Sequence, residues 1–171
     1  QRAEKHYLTD IQLFCAQQSR TIYSLKGFPV DTEMYHQVIE TLQPLYSQEL
    51  MLQGYTELAL SKTKYYIAHR PEVEDDLAYY LAKATEITAD TESPFLKLYQ
   101  YQIGTTFYQI KGMHEEWAGM LQEWQMLLRQ YRFLKTNSLQ LYLHLSLAQY
   151  HRATGSWAKA ERYLYQCLEY A

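Results

Sequence analysis

The sequence has few residues that interrupt helices. Only 6 glycines and 4 prolines occur among its 171 residues, and both residue types disfavour helix interiors. Leu, Gln, Glu, Lys and Ala, which favour helices, are abundant. The scarcity of breakers therefore predicts long helices joined by short turns, in an all-α protein.

Cysteine, basic charge and long apolar runs are also scarce. Cys15 and Cys167 are the only two cysteines, too few for a disulfide framework or a metal knuckle, and this usage suits a reducing cytosol. The net charge of -3 argues against direct contact with nucleic acid, which usually requires a basic surplus. No apolar run approaches the roughly 18–20 residues that span a bilayer. These features predict a cytoplasmic protein that binds neither nucleic acid nor membrane.

The charges are unevenly distributed along the chain. Residues 72–92 carry mostly acidic side chains, whereas residues 129–171 carry mostly basic ones. Such a division could steer a charged partner, or it could reflect two solvated helix faces. Both interpretations stay open at this point.

Prolines, glycines and capping residues divide the chain into eight predicted helices. Pro44 is expected to end the second helix, because proline lacks the backbone N–H that a helix interior needs. Gly112 and Gly155 are expected to turn the chain. The predicted helices cover about residues 3–25, 31–44, 47–68, 71–90, 94–111, 114–134, 137–154 and 156–170. They predict four antiparallel hairpins in a single domain, 1–171, which we expect to be a fragment of a longer chain because it begins at Gln1.

A repeat of 43 residues relates the last two hairpins. Self-similarity at a period of about 20–50 residues indicates stacked structural repeats, which bury a continuous core and expose a long concave surface. The residues of the first copy that recur in the second are Leu96, Leu98, Tyr99, Phe107, Gly112 and Leu121, which fall on Leu139, Leu141, Tyr142, Tyr150, Gly155 and Leu164.

The final hairpin resembles a tetratricopeptide repeat. Small and large apolar residues occupy the positions that this motif requires, with Ala160 allowing close helix packing and Gly155 allowing the turn. The preceding copy matches at Gly112, Leu121 and Leu127 but has Trp117 at the small-residue position. The resemblance implies a right-handed α-solenoid, and the matching residues of the final hairpin are Leu147, Ala148, Gly155, Trp157, Ala160, Leu164, Cys167 and Leu168.

The long, degenerate repeats also resemble the sensor domains of peptide-pheromone regulators of Gram-positive bacteria, the Rgg- and PlcR-like group. In that group a helix-turn-helix precedes a curved stack of helical hairpins that binds a short peptide. This resemblance implies a regulatory, peptide-sensing domain of a transcriptional regulator. The alternative is a structural adaptor or assembly chaperone that holds a protein partner without a signalling output.

The resemblance to such repeats places the first helix of each pair along the concave face. Glutamine amides there can bind peptide backbone, tyrosines provide rigid contact area, and Arg152 can hold a terminal carboxylate. The alternative is that these are ordinary solvated helix residues. The predicted peptide-binding residues are Tyr99, Gln102, Thr106, Gln109, Tyr142, Leu145, Gln149 and Arg152.

No pattern of residues predicts catalysis, a metal or a cofactor. His144 and His151 are two turns apart, about 10 Å along a helix, which is too far to share one metal ion. No nucleophile elbow or phosphate-binding glycine loop is present. We therefore expect a binding module rather than an enzyme.

The end of the last helix is predicted to expose an apolar stripe. Solenoids need a polar capping surface, and none follows this helix. A continuation of the chain, a partner, or a homodimer through the C-terminal helices would cover the stripe. Its residues are Tyr163, Leu164, Cys167 and Leu168.

Overall fold

A computed structural model describes residues 9–64 and 71–170. Within these residues the chain forms helices and no strands, which confirms the all-α class. The helices are α1 (Thr9–Leu25), α2 (Pro29–Lys64), α3 (Pro71–Thr88), α4 (Pro94–Lys111), α5 (His114–Gln130), a 3-10 turn (Arg132–Leu134), α6 (Asn137–Ala153) and α7 (Trp157–Cys167). The predicted start of the first helix near residue 3 and the predicted end of the third near residue 68 lie outside the described residues.

The predicted helix boundary at Pro44 is wrong. Helix α2 runs from Pro29 to Lys64 and contains Pro44 in its interior. A proline there removes one backbone hydrogen bond, to the carbonyl of Glu40. Glu40 and the residues on both sides of Pro44 are mostly good helix formers. Ser47, at which the third helix was expected to begin, donates its hydroxyl to the Gln43 carbonyl at 2.9 Å instead of capping a new helix, so the helix continues. The second and third predicted helices are therefore one, and the described residues contain seven α-helices rather than eight.

The chain divides into two compact units between Gln53 and Gly54. In the first unit, Leu13 and Ala16 of α1 pack against Ile39 of α2. The hydroxyl of Thr9 donates a hydrogen bond of 3.0 Å to the Glu49 carboxylate. Three apolar side chains of residues 9–53 are thus buried together in this cluster. The single-domain organisation stays a prediction.

In the second unit each helix packs against the next one along the chain, from α3 to α7. Local signals set the helix ends. Ser93 accepts a hydrogen bond from the Leu96 N–H at the start of α4, and Thr136 does the same for the Leu139 N–H at the start of α6. Gly112 ends α4 in the left-handed conformation, with φ of 68°. The predicted turns at both ends of α4 are confirmed.

Helix α5 supplies much of the core of the second unit. Trp117, Leu121 and Trp124 are almost fully buried, and they cluster with Leu98 of α4 and Leu143 of α6, among others. Because α4 and α6 both contribute to this cluster, each of them packs against α5. Consecutive packing of this kind is compatible with stacked hairpins, whereas the right-handed solenoid stays a prediction.

Close packing between α4 and α5 explains one small residue in the core. A Cβ atom added at Gly104 would lie 3.0 Å from the Sδ atom of Met120. Glycine therefore leaves room for the Met120 side chain of α5 against α4.

Candidate functional site

A pocket of about 280 Å³ opens between α4, α6 and the end of α2. We call it the amide pocket, because the exposed side chains of Gln109 and Gln149 lie in its wall. Its lining residues are Leu60 from α2, Thr106 and Gln109 from α4, and Tyr142, Leu145, Ser146 and Gln149 from α6.

Five of the eight predicted peptide-binding residues line the amide pocket. They are Thr106, Gln109, Tyr142, Leu145 and Gln149. The structure thus brings α4 and α6 together at one surface, as the sequence interpretation required. Whether this surface binds a peptide stays a prediction.

The other three predicted residues lie elsewhere. Tyr99 and Gln102 are half-buried on α4, two turns and one turn before Thr106, and they do not line the amide pocket. Instead, the backbone carbonyl of Gln102 accepts a 2.9 Å hydrogen bond from the Thr106 hydroxyl. Arg152 lines a second pocket, described below.

The amide pocket offers both donors and acceptors to a ligand. Each glutamine amide carries two N–H donors and a carbonyl acceptor. No hydrogen bond within the described residues engages the side chains of Gln109, Tyr142 or Gln149, which are all exposed. Thr106 already donates its hydroxyl proton to Gln102, so toward the pocket it can only accept. This set matches the alternating N–H and C=O groups of an extended peptide.

Two residues of the amide pocket were not predicted. Leu60 belongs to α2, and Ser146 follows Leu145 on α6. Ser146 lies next to a predicted residue, so a wider helix face would have included it. Nothing in the sequence indicates that Leu60 lies near α4 and α6, because this proximity depends on the tertiary packing.

A second pocket of about 180 Å³ lies between α6 and α7. We call it the apolar pocket. Ala148 and Ala160, both buried, are small and leave room for it, while Trp157 and Leu164 are 66% and 51% exposed. Its full lining is Ala148, Gln149, Arg152, Trp157, Ala160, Glu161 and Leu164. Gln149 lines both pockets, so the two are neighbours on one surface.

Arg152 gives the apolar pocket a permanent positive charge. It lies in the last turn of α6 and is exposed. An arginine guanidinium binds a carboxylate through two parallel hydrogen bonds. Glu161 of α7 lies in the same pocket. The pocket therefore combines an apolar wall with a cation that can hold a carboxylate and an anion that can accept hydrogen bonds.

Aromatic contacts between α6 and α7 hold the apolar pocket in place. The ring of His151 stacks on Tyr163, with centroids 5.5 Å apart and planes 5° apart. The ring of His144 lies 5.7 Å from Tyr163 and 5.2 Å from Tyr170. Burial lowers the pKa of both histidines.

In the part of the chain that the structure describes, no three His, Cys, Asp or Glu side chains form a group suited to a metal ion.

The predicted apolar stripe on the last helix is only partly exposed. Leu164 and Leu168 are exposed, whereas Cys167 is buried and Tyr163 is half-buried against the core. Tyr163 and Cys167, one turn apart, share the inward face of α7, and burial raises the pKa of the Cys167 thiol. Leu164 and Leu168 occupy the next face, which remains open.

A third pocket, of about 400 Å³, lies between α4 and α5 and contains none of the predicted residues. Its charged side chains, Glu92, Lys97 and Glu123, are of mixed sign, and burial raises the pKa of Tyr101 in its wall. No pattern in the sequence indicates this pocket, because its residues are spread over two helices and two loops.

Two carboxylates of the acidic segment form ion pairs with lysines outside this segment. Glu74 pairs with Lys111, and Asp76 pairs with Lys62. These contacts attach α3 to its neighbours within the second unit. The acidic segment therefore presents less free charge than its composition indicates.

No protein-family model, curated protein or solved structure with which the chain was compared matches it. Among helices in residues 9–64 and 71–170, none has the length and apolar character needed to cross a membrane. The function must therefore be argued from the geometry of the pockets.

Proposed function

We propose that this chain is a peptide-binding module, and that an extended peptide lies across the amide pocket and the apolar pocket. The observation that carries the proposal is the shared wall: Gln149 belongs to both pockets, so one segment can occupy both at once. Each pocket is smaller than the roughly 300–1,000 Å³ of typical small-molecule sites. Neighbouring small pockets suit successive side chains of a peptide better than one compact ligand.

The amide pocket would hold the peptide backbone. Gln109 and Gln149 reach from two different helices and offer donors and acceptors to a strand passing between them. A neutral hydrogen bond contributes about 0.5–1.5 kcal/mol. These contacts therefore provide moderate affinity with little dependence on the peptide sequence.

The apolar pocket would select the terminal residue of the peptide. Trp157 and Leu164 provide exposed apolar surface, and burying a large apolar side chain contributes about 1.5–3 kcal/mol. Arg152 lies in the same pocket and would bind the terminal carboxylate. The preferred ligand is thus a peptide that ends in a large apolar residue with a free carboxylate.

A random library of 8-residue peptides with free C-termini, screened by fluorescence polarisation, tests this proposal. Enriched peptides should end in Leu, Ile, Phe or Met. Amidating their C-terminus should weaken binding about 10–100-fold, because a hydrogen bond to a charged group contributes about 1.5–3 kcal/mol.

Variants of the lining residues show which pocket is responsible for a loss of peptide affinity. Arg152→Ala should remove the difference between free and amidated peptides, and Gln109→Ala with Gln149→Ala should weaken both forms equally. Arg162→Ala and Gln122→Ala are matched controls, since both residues are exposed and line none of the three pockets. A library without enrichment, or enriched peptides that bind Arg152→Ala as well as the native chain, would refute the proposal.

Two broader roles fit a peptide-binding module. A sensor domain of a transcriptional regulator, as the pheromone-regulator resemblance implies, should gain thermal stability from a short peptide. An adaptor would respond to a larger protein, and the exposed Leu168 beyond the apolar pocket favours additional contact area of that kind. A cytoplasmic location and the lack of enzymatic activity stay predictions.

A further inference from the structure

Helix α1 has two apolar faces on opposite sides. One face carries Leu13 and Ala16, which are buried in the small core of the first unit. The other carries four large apolar side chains that are between 46% and 84% exposed, namely Ile11, Phe14, Ile22 and Leu25. Single exposed apolar residues are ordinary, but a continuous exposed patch marks an interaction surface.

The four exposed residues form one stripe along the helix. At about 100° per residue, all four lie within about 40° of a line through Gln18, which is also exposed, and about 140–160° from Leu13 and Ala16. From Ile11 to Leu25 the stripe is about 21 Å long at a rise of about 1.5 Å per residue. We call it the α1 stripe. Covering such a stripe with apolar surface removes it from water and is therefore stabilising.

The α1 stripe is symmetric about its centre. Ile11 and Leu25 each lie seven residues from Gln18, and Phe14 and Ile22 each lie four residues from it. When a second α1 is laid against it in the antiparallel direction, Ile11 faces Leu25 and Phe14 faces Ile22. Gln18 then faces Gln18 of the second copy. This is the self-complementary pattern that a two-fold interface requires, in which residue i contacts j and j contacts i.

Charge favours the antiparallel direction. The start of α1 carries Asp10, and Lys26 follows its end. Antiparallel pairing places the acidic end of one helix beside the basic end of the other, and it also opposes the two helix dipoles. Parallel pairing would bring like charges together at both ends.

We propose that the α1 stripe is a homodimer interface, in which two copies of this chain pair α1 in antiparallel fashion around Gln18. The interface lies in the first unit, whereas the residues of the proposed peptide pockets belong to the second. It therefore goes beyond the proposed function and differs from a dimer through the C-terminal helices. Each dimer presents two sets of peptide pockets.

Sedimentation equilibrium of the full chain tests the dimer. The native chain should have about twice the mass of one 20.4 kDa chain at about 100 µM. Phe14→Asp should reduce it to a monomer, and because Phe14 is exposed, its helical circular dichroism should be unchanged. Leu168→Asp, at an exposed apolar position on the other unit, should remain dimeric. A monomeric native chain, or a dimer that Leu168→Asp dissociates, would overturn the proposal.

Cysteine cross-linking tests the register. Helices packed about 8–10 Å apart, with Cα atoms about 2.3 Å from each axis, place the two Gln18 Cα atoms about 3.4–5.4 Å apart, and the upper part of this range suits a disulfide. With the exposed Cys15 replaced by serine, Gln18→Cys should cross-link on mild oxidation. Leu25→Cys, at a position that is also exposed, should not, because its two copies would be about 21 Å apart. Cross-linking through Leu25→Cys but not Gln18→Cys would exclude the antiparallel register.

Discussion

Two glycines of the α4–α5 hairpin should respond in opposite directions to the same substitution. Gly112 ends α4 with φ of 68°, and Gly119 lies inside α5. A Cβ atom added at either position meets no atom within 4 Å. The effect of alanine is therefore decided by the backbone alone, without contributions from packing.

The expected magnitudes follow from the two backbone conformations. Alanine at Gly112 must adopt the left-handed conformation, which costs about 1–2 kcal/mol. Alanine at Gly119 replaces a glycine in a helix interior and gains about 0.8–1.0 kcal/mol. A change of 1 kcal/mol shifts the melting temperature of a protein of this size by about 2–4 °C. Gly112→Ala should thus melt several degrees below Gly119→Ala.

Thermal denaturation followed by far-ultraviolet circular dichroism measures both variants under the same conditions. The native chain should melt between them. If Gly112→Ala is as stable as the native chain, α4 does not end in the left-handed conformation at this residue. If Gly119→Ala is destabilised, the open face of α5 is in contact with another part of the protein. Either result would refute the reasoning.

Two further predictions concern helix continuity and pH. Pro44→Ala should stabilise the protein by about 3 kcal/mol, because it restores a backbone hydrogen bond inside α2; an unchanged or lower melting temperature would mean that the helix ends there. Burial holds the pKa of His144 below its ordinary value of 6.5 in the folded state. As the pH falls, His144 is therefore protonated first in the unfolded chain. The full contribution of neutral His144 to the free energy of unfolding is present above about pH 6.5, and it decreases below that pH. His144→Phe should lose less melting temperature than the native chain between pH 7.5 and pH 5.5, and an equal loss in both would exclude His144 as the source.

The sequence predicts those parts of the fold that depend on local interactions. Ser93 and Gly112 mark the ends of α4 because a cap bonds to groups only a few residues away. Pro44 was wrongly predicted to end a helix, because the continuation of α2 does not depend on one residue alone. Its local penalty of about 3 kcal/mol is a fixed cost, whereas the helix-forming residues on both sides act cumulatively, and this sum cannot be read at a single position.

The candidate site was predicted only in part, because its lining depends both on the position of residues within each helix and on how the helices pack. The resemblance to helical repeats placed Gln109 of α4 and Gln149 of α6 on a common face, and both line the amide pocket. The same resemblance extended the face to Tyr99, which does not line this pocket. Leu60 comes from a helix whose position relative to α6 depends on the packing of the whole unit, so no local pattern indicates it.

The placement of the three tryptophans makes the intrinsic fluorescence of the protein sensitive to the apolar pocket. Trp117 and Trp124 are sealed in the core, whereas Trp157 stands in the wall of the apolar pocket and is the most exposed of the three. Water quenching and red-shifted emission accordingly come from Trp157. A molecule that enters this pocket displaces that water and shifts the emission toward blue without any added dye, while the other two indoles contribute a constant background.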